Sequence, residues 1–156
     1  MFRATSETAV AIRVASVREK PRRSAISRAA ARAIALRLGF SRTDATLIAT
    51  AVSEIARNIV VHVGAGKMSM RPIYEDERRG LAVFATDEGP GIRDVAAAIG
   101  DGYAARGGFG LGLPGARRLM DEFDIQTSAD GTKVTMKKWR IRDELERLRE
   151  RRSRTE

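Results

Sequence analysis

The stretch RGGFGLGLPGARRLMDEF, residues 106–123, places five glycines in ten positions: Gly107, Gly108, Gly110, Gly112 and Gly115. It then runs straight into a helix-forming segment. Glycine removes the side-chain barrier to unusual backbone angles and to close approach by another group, at a cost in backbone entropy. Residues 88–112 as a whole carry little periodic pattern. A patternless run of more than about 15 residues inside a compact domain is usually functional or disordered. Flexibility alone explains a floppy loop, but not one that leads directly into a helix start. Backbone N–H groups there, with the positive end of the helix dipole, form a site for an anion, and phosphate is the anion favoured.

Familiar phosphate loops are excluded by context. GLGLPG (110–115) matches G-x-G-x-x-G in letters, but no strand precedes it. The acidic residue needed about 20 positions later is replaced by TKVTMKKW. There is no G-x-x-x-x-G-K-[ST], and neither H-R-D nor D-F-G is present.

The flanking elements read as follows. TAVAIRV (8–14) alternates and is a strand. Past Pro21, residues Ile26, Ala30, Ala33, Ile34 and Leu38 recur at helical spacing within 16–40, and Gly39 is a stop. A Ser/Thr/Asp cluster opens a second helix over 41–66. Two strands, 67–75 and 80–87, flank the charged turn DERRG. A helix over 114–122 opens with Pro114, and 124–139 is a hairpin around Asp130-Gly131. The charged tail 140–156 carries a thin stripe, Ile141, Leu145 and Leu148, of a marginal, fraying helix. This order predicts an α+β two-layer sandwich: one mixed, mostly antiparallel sheet with helices on one face.

Length and composition limit the chemistry. A chain of 156 residues allows one domain, burying roughly 68–70% of its unfolded surface. No apolar run approaches the roughly 20 residues of a membrane span, and the N-terminus lacks the pattern of a signal peptide. The expectation is a soluble, cytoplasmic protein with no membrane partner. Cysteine is absent, which removes disulfides and thiolate chemistry, and the single histidine, His62, reads as structural. The net charge of +9 is spread over helices and tail, and eight aromatics form no stacking platform, so nucleic acid is not the expected partner. The basic helix 16–38 and the tail are the places where an acidic partner could bind.

Two further segments carry chemistry. In SEIARN (53–58), Glu54 and Asn58 stand at i and i+4 and so share one side of the helix. They border the apolar stripe Ile48, Val52, Ile55 and Ile59, where a pocket would meet the core. A carboxylate there can take a proton, and an amide oxygen is a ligand suited to Mg²⁺. In ATDEGPGI (85–92), Asp87 ends a strand and can accept from an exocyclic amine, while Gly89 and Gly91 let a flat ring approach. DGT (130–132) places the Thr132 hydroxyl at the hairpin.

Taken in order, these pieces resemble the GHKL ATPase/kinase superfamily: an E-x-x-x-N box, a D-x-G-x-G box, a glycine-rich ATP lid and a late G-T. SEIARNIV, DEGPGI and GLGLPGARRLMDEF resemble in particular the small bacterial anti-sigma and switch kinases of the RsbT type. The resemblance covers roughly residues 8–139 and implies the Bergerat ATP-binding fold. It makes 1–139 an ATP-binding kinase domain and leaves 140–156 as a tail. It implies Glu54 as general base and Asn58 on Mg²⁺. It implies Asp87 on the adenine amine, with Gly89, Gly91 and Ile92 beside the base and Thr132 supporting the adenine pocket. The lid residues Gly107, Gly108, Gly110, Leu111 and Gly112 would hold phosphates. The implied substrate is a serine or threonine of a STAS-domain antagonist, and the implied downstream partner is a phosphatase. Two alternatives stay open: direct sequestration of a sigma factor, and a silent module that senses ATP or ADP. Oligomeric state is not set by the sequence.

Overall fold

The structure, a computed structural model, describes residues 10–14, 22–100 and 112–153. Five strands form one sheet in the order β1-β2-β3-β5-β4, with β1 at Val10–Val14, β2 at Gly66–Glu75, β3 at Arg78–Asp87, β4 at Glu122–Ser128 and β5 at Gly131–Trp139. All four pairings are antiparallel. Helices α1 (Arg22–Arg37), α2 (Arg42–His62), α3 (Val95–Ile99), α4 (Gly112–Leu119) and α5 (Ile141–Ser153) complete the chain. Among the described residues no helix is long and apolar enough to cross a membrane.

The core lies between α2 and the sheet. Ser41 caps α2 by accepting from the Asp44 N–H at 3.0 Å. The expected stripe Ile48, Val52, Ile55 and Ile59 is buried. It faces Met68 and Met70 of β2, Leu81, Val83 and Ala85 of β3, and Val134 and Met136 of β5. Period-two alternation sends these strand residues to one face, while Ser69 and Arg71 of β2, Ala82 and Phe84 of β3, and Thr135 and Lys137 of β5 take the other. On that open face aromatic rings are covered by cations. Arg71 sits 4.4 Å from the Phe84 centroid and Arg78 sits 4.2 Å from that of Trp139.

Four details differ from the sequence expectation. On α1, among the described side chains, Ala31 and Ala35 are buried, with Ile34 and, just beyond the helix, Leu38 partly buried, whereas Ala33 faces out; the side chain of Ile26 lies outside the description. Alanine on every face of that helix hides its phase. The turn between β2 and β3 is two residues, Asp76 and Glu77, not the five of DERRG. Helix α3 lies inside the stretch read as a loop. Helix α4 begins at Gly112 and stops at Leu119, short of the predicted 122. The apolar pattern would allow it to continue, but Asp121 and Glu122 bond to β5 instead. Asp121 Oδ2 accepts from the Trp139 N–H at 2.7 Å, and Glu122 Oε2 accepts from the Trp139 indole N–H at 2.6 Å.

Asp76 and Glu77 both hold positive φ, 49° and 65°, the backbone of a type I′ hairpin turn. A side chain in that region costs roughly 1–2 kcal/mol per residue. Glu77→Gly creates Asp-Gly, a sequence that favours this turn. Against the added freedom of the unfolded chain, the expected net gain is about 0.5–1 kcal/mol. Thermal denaturation should show a melting temperature a few degrees higher.

Candidate functional site

The C-terminal half of α2, the end of β3, the start of β5 and helix α3 surround a cleft of about 410 Å³. That is within the roughly 300–1,000 Å³ typical of small-molecule sites. Its walls include Ile55, Ile59, Ala85, Ile92, Ala98, Leu113 and Val134. Polar groups are few: Asn58, His62, Asp87, Arg93, Asp94 and Thr132. Such a slot suits a flat, partly apolar molecule with a polar edge.

Asn58 reaches the cleft because it lies on the α2 face beside the core positions Ile55 and Ile59. Glu54, one turn earlier, takes a different position. Its Oε2 accepts from the Gly112 N–H at 2.8 Å. The carboxylate thereby satisfies an N–H at the N-terminus of α4, where the helix dipole also favours negative charge. Of the expected lid residues, only Gly112 is described. Gly107, Gly108, Gly110 and Leu111 lie outside the described residues.

Asp87 is the last residue of β3 and pairs in register with Thr132 of β5. Cross-strand partners share a face, so carboxylate and hydroxyl stand side by side on the cleft wall. Asp87 Oδ1 accepts from the Gly89 N–H at 2.9 Å, which turns the chain away from the sheet. At Gly89 a β-carbon would lie 2.6 Å from Val63 Cγ2. Gly91 has φ +80°, and a β-carbon there would lie 2.1 Å from the Ser128 carbonyl oxygen. Thus the glycines expected to admit a ring are required first by the chain itself, because Val63 occupies the space at Gly89 and the β4–β5 hairpin occupies it at Gly91. The next residue, Ile92, lines the cleft and donates its N–H to Thr127 Oγ1 at 2.9 Å.

Three contributors escaped the sequence reading. Helix α3 closes the cleft through Ala97 and Ala98, and its cap is Asp94, whose Oδ1 accepts from the Ala97 N–H at 3.0 Å. Aspartate before an alanine run was the available signal. His62, read as structural, is exposed at the C-terminal end of α2 and lines the cleft, one turn beyond Asn58. The spacing Glu54, Asn58, His62 was the signal there. For Thr127 the hairpin turn at Asp130-Gly131 sets it beside Gly131 and Thr132, but its bond to the Ile92 N–H, 35 positions away, had no local signal. Arg57, the residue before Asn58 on α2, is exposed and is not among the cleft residues.

Among the described residues no three histidine, aspartate or glutamate side chains cluster as a metal site. A cation at Asn58 would therefore draw most of its oxygens from water and from a bound phosphate, the usual habit of Mg²⁺.

A sequence profile described as the histidine kinase-like ATPase domain matches residues 17–138. The serine/threonine-protein kinase RsbT of Bacillus subtilis (strain 168) is 42% identical over 109 residues, covering 69% of this chain and 82% of that protein. An anti-sigma F factor of Clostridium novyi (strain NT) is 29% identical over 126 residues, 76% of this chain and 87% of that protein. A crystal structure of the RsbU and RsbW domains of a Mycobacterium tuberculosis protein superposes with a TM-score of 0.56 at 19% identity. That overlay takes in 83% of this chain and 32% of the longer one, and it speaks for the fold.

The close contact at Gly91 yields a direct expectation. Gly91→Ala meets both a positive φ and a backbone oxygen that cannot move without parting the hairpin. The expected loss is on the order of 2–4 kcal/mol, the sum of a strained φ and an overpacked contact. Chemical denaturation should register it as a lower midpoint.

Proposed function

Because the chain belongs to the histidine kinase-like ATPase domain family, we infer that it is a protein serine/threonine kinase that takes ATP into the cleft beside α2. The observation that carries this reading is the pairing of Asp87 with Thr132 on the wall of a mostly apolar slot, with Asn58 on the adjoining helix face. The 42% identity to a serine/threonine-protein kinase supports the same reaction class.

The residues present fit such a ligand. Asp87 has one oxygen engaged by the Gly89 N–H and a second for an exocyclic amine. Ile92, Ala85 and Val134 supply apolar contact for a ring. Thr132 adds a hydroxyl next to the carboxylate, and Gly89 and Gly91 hold the loop that borders the base. Asn58 would hold Mg²⁺ through its amide oxygen. Mg²⁺, when bound, neutralises phosphate charge and orients the transferred group. The lid glycines Gly107, Gly108, Gly110, with Leu111 and Gly112, would offer N–H groups to phosphate. Glu54 would take the proton of the attacking serine or threonine hydroxyl, once its carboxylate is released from the Gly112 N–H.

The acceptor proposed is a serine or threonine on a STAS-domain antagonist, in a cytoplasmic partner-switching pathway that ends on a phosphatase. The likeness to an anti-sigma F factor supports a second reading, in which the chain also binds a sigma factor directly. One experiment separates them. Incubation with labelled ATP, Mg²⁺ and a STAS protein encoded beside this chain should yield phosphoserine or phosphothreonine on that protein. Co-purification with a sigma factor, released when the STAS protein is added, would instead favour the second.

Asp87→Asn is expected to keep the Gly89 contact through its amide oxygen and to turn a donor toward the amine. The cost is on the order of 1.5–3 kcal/mol, a loss of about tenfold to a hundredfold in ATP affinity. Calorimetry with unchanged affinity would show that Asp87 does not meet the base.

Glu54→Gln should separate binding from transfer. The amide still offers an oxygen to the Gly112 N–H, so ATP affinity should stay within a few-fold. Phosphotransfer should fall by roughly 10²–10⁴, the range for a lost general base. Asn58→Ala should weaken ATP binding only when Mg²⁺ is present. A Glu54→Gln variant that transfers phosphate normally would end this assignment of the base.

A further inference from the structure

We propose that Thr127 is a positioning residue that sets the hydrogen-bond polarity of Thr132, and through it makes the base pocket select an amine over a carbonyl. The proposal rests on the reading of the cleft as a nucleotide site. Thr127 is not among the residues lining the cleft, so it acts through its neighbour.

Three contacts converge on the Thr127 hydroxyl. It accepts from the Ile92 N–H at 2.9 Å, lies 2.9 Å from Thr132 Oγ1 and lies 3.5 Å from the Gly131 carbonyl oxygen. A hydroxyl has one proton and two lone pairs. The Ile92 N–H takes one lone pair. If Thr127 gives its proton to Gly131, its second lone pair receives the Thr132 proton and all three contacts are made. If Thr127 donates to Thr132 instead, the Gly131 carbonyl gains nothing. The fuller arrangement spends the Thr132 proton inward and leaves only acceptor lone pairs toward the cleft.

Asp87, the register partner of Thr132, is likewise an acceptor. Two acceptors side by side can both be satisfied by an amine carrying two N–H bonds, as on adenine. A 6-oxo purine sets a carbonyl oxygen against both. Buried polar groups left unpaired make such rejection steep. Removing the Thr127 hydroxyl frees the Thr132 proton, which can then turn outward and donate to that carbonyl.

The test is calorimetry with ATP and with inosine triphosphate on the wild type, Thr127→Val, Thr127→Ala and Thr127→Ser. Circular dichroism checks that each variant is folded. Thr127→Val and Thr127→Ala should weaken ATP by about fivefold, the worth of one ordinary hydrogen bond, without weakening inosine triphosphate equally. The preference for ATP should therefore narrow, and Thr127→Ser should restore it. Faster amide exchange at Ile92 should accompany the valine and alanine variants only. Equal weakening of both nucleotides would mean that Thr127 merely braces the loop, and would overturn the proposal. Failure of serine to restore the preference would do the same. A wild type that binds neither nucleotide would instead overturn the nucleotide reading itself, and that result precedes any comparison of variants.

Discussion

Around the end of β3 the chain brings backbone close against backbone at three glycines. A β-carbon at Gly131 would lie 2.1 Å from the Asp87 carbonyl oxygen, and one at Gly91 would lie equally close to the Ser128 carbonyl. At Gly66, opposite Asp87 in β2, a β-carbon would lie 2.6 Å from the Thr86 carbonyl oxygen and 2.7 Å from Ile59 Cγ2. These contacts bring the loop after β3 against the β4–β5 hairpin, and the cleft is the space left beneath them. Interiors packed to this density do not yield continuously, so the position of the Asp87 carboxylate is set by its surroundings rather than by its own strand alone. A binding group held this way loses little freedom when a ligand arrives, which is the condition for a preorganised site.

That constraint also explains which parts of the site were legible in the sequence. Glu54, Asn58, Asp87 and Thr132 each stand out within a few residues of a recognisable local pattern, a helix face, a strand end or a turn. Two of them, Asp87 and Thr132, meet across the β3–β5 pairing as the α+β sandwich requires. The glycines were visible as well, but their cause was not. Proximity of Gly91 to Ser128 is a tertiary fact, separated by 37 positions of chain. The bond of Thr127 to the Ile92 N–H was silent for the same reason, spanning 35 positions. Helix α3 was missed because five residues are too few to show a period, and α1 misled because alanine has nearly the same hydropathy on its buried and exposed faces. The end of α4 was decided by competition. Asp121 and Glu122 gain strand partners and an indole N–H in β5, which outweighs one more helical turn.

The basic surplus of the sequence has a partly structural use. Arg71 and Arg78 lie over Phe84 and Trp139 on the open face of the sheet, where a guanidinium can stack and remain hydrated. Lys137 joins the same face through Glu75 at 3.0 Å, and that hydrogen bond raises its pKa against the opposing effect of desolvation. Arg140 reaches across to the Leu38 carbonyl at 3.4 Å and ties the end of β5 to the turn between α1 and α2. Part of the net charge of +9 is in this way engaged with rings, a carboxylate and a carbonyl of the protein itself.

The contact between Glu54 and Gly112 links that construction to the chemistry. A carboxylate that accepts from an N–H at a helix start is held in one direction, which is useful to a base once that contact is released. The same N–H is among those a phosphate would seek, since donors at a helix N-terminus are shared by whatever negative charge lies nearest. Glu54 and a phosphate oxygen would thus compete for one donor, which could not satisfy both. Whichever group holds Gly112, α4 keeps its first N–H satisfied, so the exchange does not unravel the helix. The residue that starts α4 and the residue that would accept the proton are in this way parts of a single contact, although 58 positions of sequence lie between them.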